Sequence, residues 1–159
     1  MDRAVGSDRI VVSRTFSKTW SLAALRLGYL IGSPIVIEHL WTAVLPYHID
    51  AVKQIAGEIA LKYTDEMNDR VARIVAERKR VHSMLVQMGV NVSPSSANFI
   101  LFSPGVDANV VWQRLLDQGV LVRNCSSWPR LDGWLRLTIG TAEENDAFIE
   151  GLQSALETG

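Results

Sequence analysis

Arg14-Thr15-Phe16-Ser17-Lys18-Thr19-Trp20-Ser21-Leu22-Ala23-Ala24-Leu25-Arg26-Leu27-Gly28 is the stretch on which the fold turns. The β-branched run Ile10-Val11-Val12 leads into it and Leu27-Gly28-Tyr29-Leu30-Ile31 leads out, and both read as buried strands. Between them lie a polar turn and a short helical patch, Leu22 to Leu25. Lys18 therefore sits just beyond a strand end, where α/β folds place reactive groups. Taken singly, Ser17-Lys18 is a common dipeptide and Arg26 a residue that caps a strand.

Downstream, Ser33 before Pro34 is an N-cap followed by a favoured first helical residue, and Ile35, Ile37, Leu40, Trp41 and Val44 carry that helix to a stop before Pro46. After Asp50, Val52, Ile55, Ala56, Ile59 and Ala60 make one apolar face. A polar break at Thr64 to Asp69 precedes a second stripe, Val71, Ile74, Val75, Val81, Leu85 and Met88, ending at Gly89. Arg70, Arg73, Arg78, Lys79 and Arg80 are interleaved with Asp65, Glu66, Asp69 and Glu77, so they read as a solvated helix face, not a nucleic-acid patch.

From Gly89 the pattern shifts to strand, helix, strand, strand, helix: Asn98 to Phe102, Asp107 to Gln118 with Gly119 as its stop, Val120 to Arg123, Trp134 to Ile139, and a last helix opened by Thr141 and Glu144 at capping-box spacing. Within these strands Arg136 reads equally as a binding group or as half of a structural ion pair. Arg123 ranks lower, and Asn98 reads as a polar strand-end residue.

The totals exclude several classes. At 159 residues the chain can bury a core without metal or disulfide staples. Sixteen basic and seventeen acidic side chains give a net charge of −1, which offers no electrostatic footprint for nucleic acid or an anionic membrane. No apolar run is long enough to span a bilayer. Cys125 is the sole cysteine, and His39, His48 and His82 have no ligand-like spacing to it, so no metal is expected. The opening residues lack the apolar core of a signal peptide, and a reducing cytoplasm is the expected compartment.

The string Arg14 to Lys18, with Leu22 to Gly28 behind it, is similar to the lysine signature of fold-type-I aminotransferases, and most like their histidinol-phosphate aminotransferase branch. The eight-residue spacing from Lys18 to Arg26 belongs to that pattern; Thr19, where Ser, Ala or Gly is usual, and Trp20-Ser21 depart from it. A second match lies at Leu121-Val122-Arg123, Leu131 to Thr141 and Glu143-Glu144-Asn145, with the family's thirteen-residue separation of two arginines. Ser96 to Phe102 resembles the family's small-domain strand. Leu45-Pro46-Tyr47-His48 resembles a segment near the cofactor pocket, with His48 where Asn is frequent.

The resemblance implies an α/β fold in which residues 1–65 are the C-terminal part of a large domain, with a mixed, mainly parallel sheet and helices, and residues 66–159 an α+β small domain. It implies pyridoxal 5′-phosphate as cofactor, bonded to Lys18 and with its phosphate held by Thr15, Ser17 and Arg26. A neutral amine, short hydroxyl donors and a fixed guanidinium suit that chemistry. Arg136 is implied on the substrate's α-carboxylate, Arg123 on a distal phosphate, and Asn98 nearby. Cys125 and Trp128, in the loop between the arginines, are expected to shape substrate choice.

The implied reaction is transamination of histidinol phosphate, with glutamate and 2-oxoglutarate as the other pair. Aromatic amino-acid transamination, threonine-phosphate decarboxylation and a non-catalytic folded remnant are the alternatives. The implied partners are small amino and oxo acids, and a second subunit in a homodimer of the full-length protein. The match covers only the later part of the family's fold. The upstream Asp-Glu-Ala-Tyr stretch has no counterpart, since Asp2-Arg3-Ala4-Val5 does not fit it, so a fragment that by itself is inactive or binds cofactor poorly is expected.

Overall fold

The structure is a computed structural model and describes residues 1–157. The chain divides into two compact units, Met1–Arg70 and Val71–Gly159, and the division falls inside a helix.

The first unit contains helix α1 (Asp2–Val5), strand β1 (Val12–Thr15), a 3-10 turn at Ala23–Leu25, strand β2 (Gly28–Ile31), helices α2 (Pro34–Trp41) and α3 (Ala51–Leu61), and the opening of α4 (Thr64–Gln87). The Ser33 hydroxyl caps α2 by accepting from Val36 N at 3.3 Å and itself donates to Asp8 at 2.5 Å. Asp50 caps α3, accepting from Lys53 N at 2.8 Å. The polar break expected at Thr64 to Asp69 is instead the first turns of α4. Those residues are polar but not helix breakers, and acids in a first turn complement the helix dipole.

Strands β1 and β2 pair antiparallel, with Val12 opposite Ile31 and Thr15 opposite Gly28. The mixed, mainly parallel sheet implied for this region is represented among the described residues by this pair alone. Its connection is too short for the crossover that parallel strands need. The strands were expected to be buried, and they are not. Tyr29 and Leu30 are exposed, Ile10 and Val11 lie outside β1, and Trp41, Tyr47 and Val52 on neighbouring segments are exposed too. A two-stranded ribbon has no second layer of its own to cover its apolar side chains.

The second unit holds the rest of α4, β3 (Asn91–Val92), β4 (Phe99–Ser103), α5 (Ala108–Asp117), β5 (Arg123–Asn124), β6 (Leu135–Thr138) and α6 (Ala142–Glu157). The strand order is β3-β4-β6-β5, every pair antiparallel. Alternation sorts the residues. Ile100 and Phe102 of β4 and Leu135 and Leu137 of β6 are buried with Val81 and Leu85 of α4, Val111 and Leu115 of α5, and Phe148 and Leu152 of α6. The Phe102 and Phe148 rings meet edge to face at 5.5 Å. Helix α6 opens with the expected capping box: Glu144 N donates to Thr141 Oγ1 at 3.3 Å, and Thr141 N to Glu144 Oε2 at 2.8 Å.

One polar group is sealed into this core. Asn145 is 1% exposed, yet its amide accepts from Gly140 N at 3.1 Å and donates to Gly140 O at 3.2 Å and Glu77 Oε2 at 2.9 Å. Glu77 is in turn held by Arg80, which also reaches Asp146 at 2.6 Å. Arg78 donates to Ala97 O at 2.7 Å. Arg78 and Arg80 are thus half-buried anchors, and the solvated face expected for the arginines does not extend to them. Arg70, in the first unit, donates to Ser21.

Replacing Asn145 with Ala strands the Gly140 main chain and leaves Glu77 Oε2 to Arg80 alone, and should lower the stability of this unit by about 1–3 kcal/mol in urea denaturation, the cost of orphaned buried partners; a loss below about 0.5 kcal/mol would reject that accounting. The Glu77 carboxyl is held below its ordinary value of 4.5, first by hydrogen bonds from Arg80 and then by the Asn145 amide. A depressed carboxylate stabilises the fold fully above its unfolded pKa, and the contribution fades as pH falls through the folded one. The urea midpoint should therefore drop more between about pH 6 and pH 3 in the parent chain than in Glu77→Gln; equal drops would count against it.

Candidate functional site

The site residues read from the sequence fall into two groups, one in each unit. In the first unit they surround the loop from β1 to β2. Phe16 is buried, with its ring 5.6 Å from Trp20 and 5.9 Å from Tyr29, while its N–H donates to Leu27 O and its carbonyl accepts from Leu22 N. This pins both ends of the segment that carries Lys18. A turn closed by Ser21 N on Lys18 O, at 3.0 Å, presents the lysine as an exposed side chain.

Thr15 ends β1, and its hydroxyl donates to Ser17 Oγ at 2.8 Å and accepts from Ser17 N at 3.0 Å. Arg26 adopts a left-handed conformation, φ 53, and donates to Ala23 O at 3.1 Å. Gly28 is required by close approach: a Cβ there would stand 2.7 Å from Arg14 O, its neighbour across the pair. Arg9, Arg14, Lys18 and Arg26 all lie between Asp8 and Glu38, a span without a single carboxylate. Paired hydroxyls, a guanidinium and an amine with no competing acid are a donor set that suits a phosphate-bearing group.

In the second unit Arg123 and Arg136 are directly opposed across β5 and β6. Alternation sends Arg136 away from the core that Leu135 and Leu137 enter, towards an open cleft of about 520 Å³. Trp112, Leu121, Val122, Asn124 and Thr138 line it with the two arginines. The cleft wall is braced: Trp112 Nε1 donates to Val122 O at 3.0 Å, and Asn124 donates to Asn109 at 2.8 Å while accepting from Ser126 N at 2.9 Å. Arg136 Nε is buried without a hydrogen-bond partner, and its guanidinium carbon stands 5.3 Å from the centre of the Phe99 ring. Among the described residues no ion pair holds Arg136, so the structural half of its two readings finds no support.

Asn98 is half-buried one residue before β4, and its carbonyl accepts from Ile139 N at 2.9 Å. Cys125 is fully buried, with N donating to Trp134 O, and is not among the residues that line this cleft. Its strand-adjacent position turns it inward. Trp128 is exposed. His48 is exposed, with Nδ1 3.2 Å from Leu45 O and its ring against Trp41. Sequence reasoning missed the Phe99 ring beside Arg136. The signal was present in the parity of the Asn98 to Phe102 strand, which puts Phe99 opposite Thr138 and diagonal to Arg136. Among the described residues no cluster of His, Cys, Asp or Glu could hold a metal ion, and no helix is long and apolar enough to cross a membrane.

A lysine loop rich in anion donors is thus followed along the chain by a small antiparallel unit carrying an arginine pair. The chain belongs to the aminotransferase class I and II family, which its residues 2–152 match. It is 47% identical over 150 residues to the histidinol-phosphate aminotransferase of Mycobacterium sp. (strain JLS), a match covering 94% of this chain and 39% of that relative. The fold matches the histidinol-phosphate aminotransferase of Sinorhizobium meliloti, solved in complex with pyridoxal-5′-phosphate, with a TM-score of 0.83 at 23% identity over 99% of this chain and 44% of that one. It also matches the L-threonine-O-3-phosphate decarboxylase of Porphyromonas gingivalis, with a TM-score of 0.81 at 21% identity over 98% and 49% of the two chains. The chain therefore spans less than half the length of these relatives.

Because Gly28 has no room for a Cβ, Gly28→Ala should open the β1–β2 pair, read as at least tenfold faster hydrogen exchange at Phe16 N and along the ladder. Unchanged exchange would show that the strand accommodates the methyl.

Proposed function

We propose that this chain supplies the lysine and substrate-arginine portions of a pyridoxal-phosphate-dependent aminotransferase acting on histidinol phosphate with 2-oxoglutarate. The observation that carries the reading is the Thr15–Ser17 hydroxyl pair beside Lys18 and Arg26, in a segment free of carboxylates. In this reading residues 1–65 belong to the cofactor-binding domain and residues 66–159 to the small domain. The working enzyme is a cytoplasmic homodimer. The mycobacterial relative's name supports the substrate, and the family supports the cofactor.

Pyridoxal phosphate, when bound, supplies an electron sink for charge developing at the substrate's Cα. Thr15 and Ser17 would hold its phosphate with their hydroxyls, and Arg26 would neutralise it through paired N–H donors. Lys18 Nζ would be the amine that bonds the cofactor and the base that takes the proton from the substrate's Cα. Arg136 fixes the plane of a carboxylate by a two-pronged bond and so aims the Cα–H bond. Arg123, directly opposite Arg136 on the neighbouring strand of the same cleft wall, takes a second anionic group of the substrate, and Asn98, just before β4, is the further residue assigned to the substrate.

Reaction of the chain with pyridoxal phosphate followed by borohydride tests the reading by peptide mapping. Lys18 should be labelled in preference to Lys53, Lys62 and Lys79, and the preference should vanish with pyridoxal, which lacks the phosphate. It should also fall at least tenfold in Arg26→Gln and in Thr15→Val. Equal labelling of all four lysines would overturn the assignment.

A further inference from the structure

Arg136 stands in a costly position. The register places Arg123 directly opposite it, and like charges on directly paired residues repel. No carboxylate offsets this among the described residues, and Nε is buried with no acceptor. A long side chain under such repulsion would swing out into solvent and lose the fixed plane that a bidentate carboxylate bond requires.

The group that meets the guanidinium is the ring of Phe99, 5.3 Å away and half-buried. It is delivered from the other neighbouring strand. β4 pairs with β6 so that Leu101 lies opposite Arg136 and Phe99 opposite Thr138, leaving Phe99 on the diagonal, within reach of an aromatic side chain. Both residues lie on the face turned from the core, since Ile100 and Phe102 fill the other. The negative face of the ring attracts the cation and partly replaces the missing acceptor, while leaving the terminal nitrogens free for a ligand. A phenyl ring has only two rotatable bonds, so it fixes the guanidinium at little entropic cost.

We infer that Phe99 is the positioning residue for Arg136, holding its guanidinium by a cation–π contact against the repulsion of Arg123 so that the cleft binds a carboxylate. This deepens the proposed function and rests on its assignment of Arg136 to a carboxylate. It makes the β4 strand, and not only the two arginines, part of what sets affinity for the oxo acid.

The test uses the 159-residue chain with ¹⁵N-labelled arginine and 2-oxoglutarate as the probe, the Arg136 Nε–Hε resonance being assigned by its loss in Arg136→Lys. In the parent chain this resonance should be displaced by the ring current and exchange slowly with water. Phe99→Leu, which keeps an apolar side chain and removes the ring, should return it to the position of an exposed arginine and weaken 2-oxoglutarate binding between about two- and thirtyfold. Phe99→Tyr should restore both the resonance and the affinity to within about twofold. A Phe99→Leu chain with the parent resonance and affinity would overturn the inference, as would a Phe99→Tyr chain that behaves like Phe99→Leu. If Phe99→Leu does not fold, the parent and tyrosine spectra still decide, because an undisplaced resonance in either contradicts the contact. The underlying reading fails separately: if Arg136→Gln binds 2-oxoglutarate as the parent does, or the parent does not bind it, Arg136 is not a carboxylate group whatever its resonance shows.

Discussion

A single buried amide ties the second unit together. Asn145 belongs to α6, its carboxylate partner Glu77 to α4, and its main-chain partners to Gly140 at the end of β6. Helix, helix and strand therefore meet at one side chain inside an apolar core, where leaving any of these groups unpaired is costly. The bond also fixes where β6 stops, and so where the strand carrying Arg136 lies. Gly140 fits this corner because a Cβ would collide with the Glu144 side chain. The capping box, the amide and the glycine are three parts of one joint.

Much of this was legible in the residues. Thr141 and Glu144 announced their box by spacing, Ser33-Pro34 and Asp50 their helix starts, and the alternation of Leu135-Arg136-Leu137 its strand. These signals are local, and local geometry decides them. The lysine loop was legible as a string of residue types, and its donors do sit at one end of one strand pair. What was not legible depends on partners distant in sequence. Asn145 looked like one more polar residue in a motif, because its meaning lies in Glu77. Polar Thr64 to Asp69 looked like a break, because polarity marks solvent contact and not backbone conformation.

The first unit shows the limit of pattern reading in the other direction. Ile10, Val11, Tyr29 and Leu30 have the composition of buried strands, and they are exposed. Composition records what a segment is suited to lie against, while burial records what actually covers it. The pinned loop around Phe16 shows that local order does not need that cover. Ring contacts to Trp20 and Tyr29 and two main-chain bonds hold the lysine segment in a defined shape.

The strict alternation of β6 has one more consequence. Its buried leucines and its outward arginine are the same strand seen from two sides, so sliding the strand by one residue would drive Arg136 into the hydrocarbon core and push Leu135 or Leu137 into the cleft. A length change inside the strand cannot be absorbed as a change of affinity; it would remove folding and ligand recognition together. A length change that keeps both has to fall in the loops between strands, and the anion cleft takes its reading frame from the core.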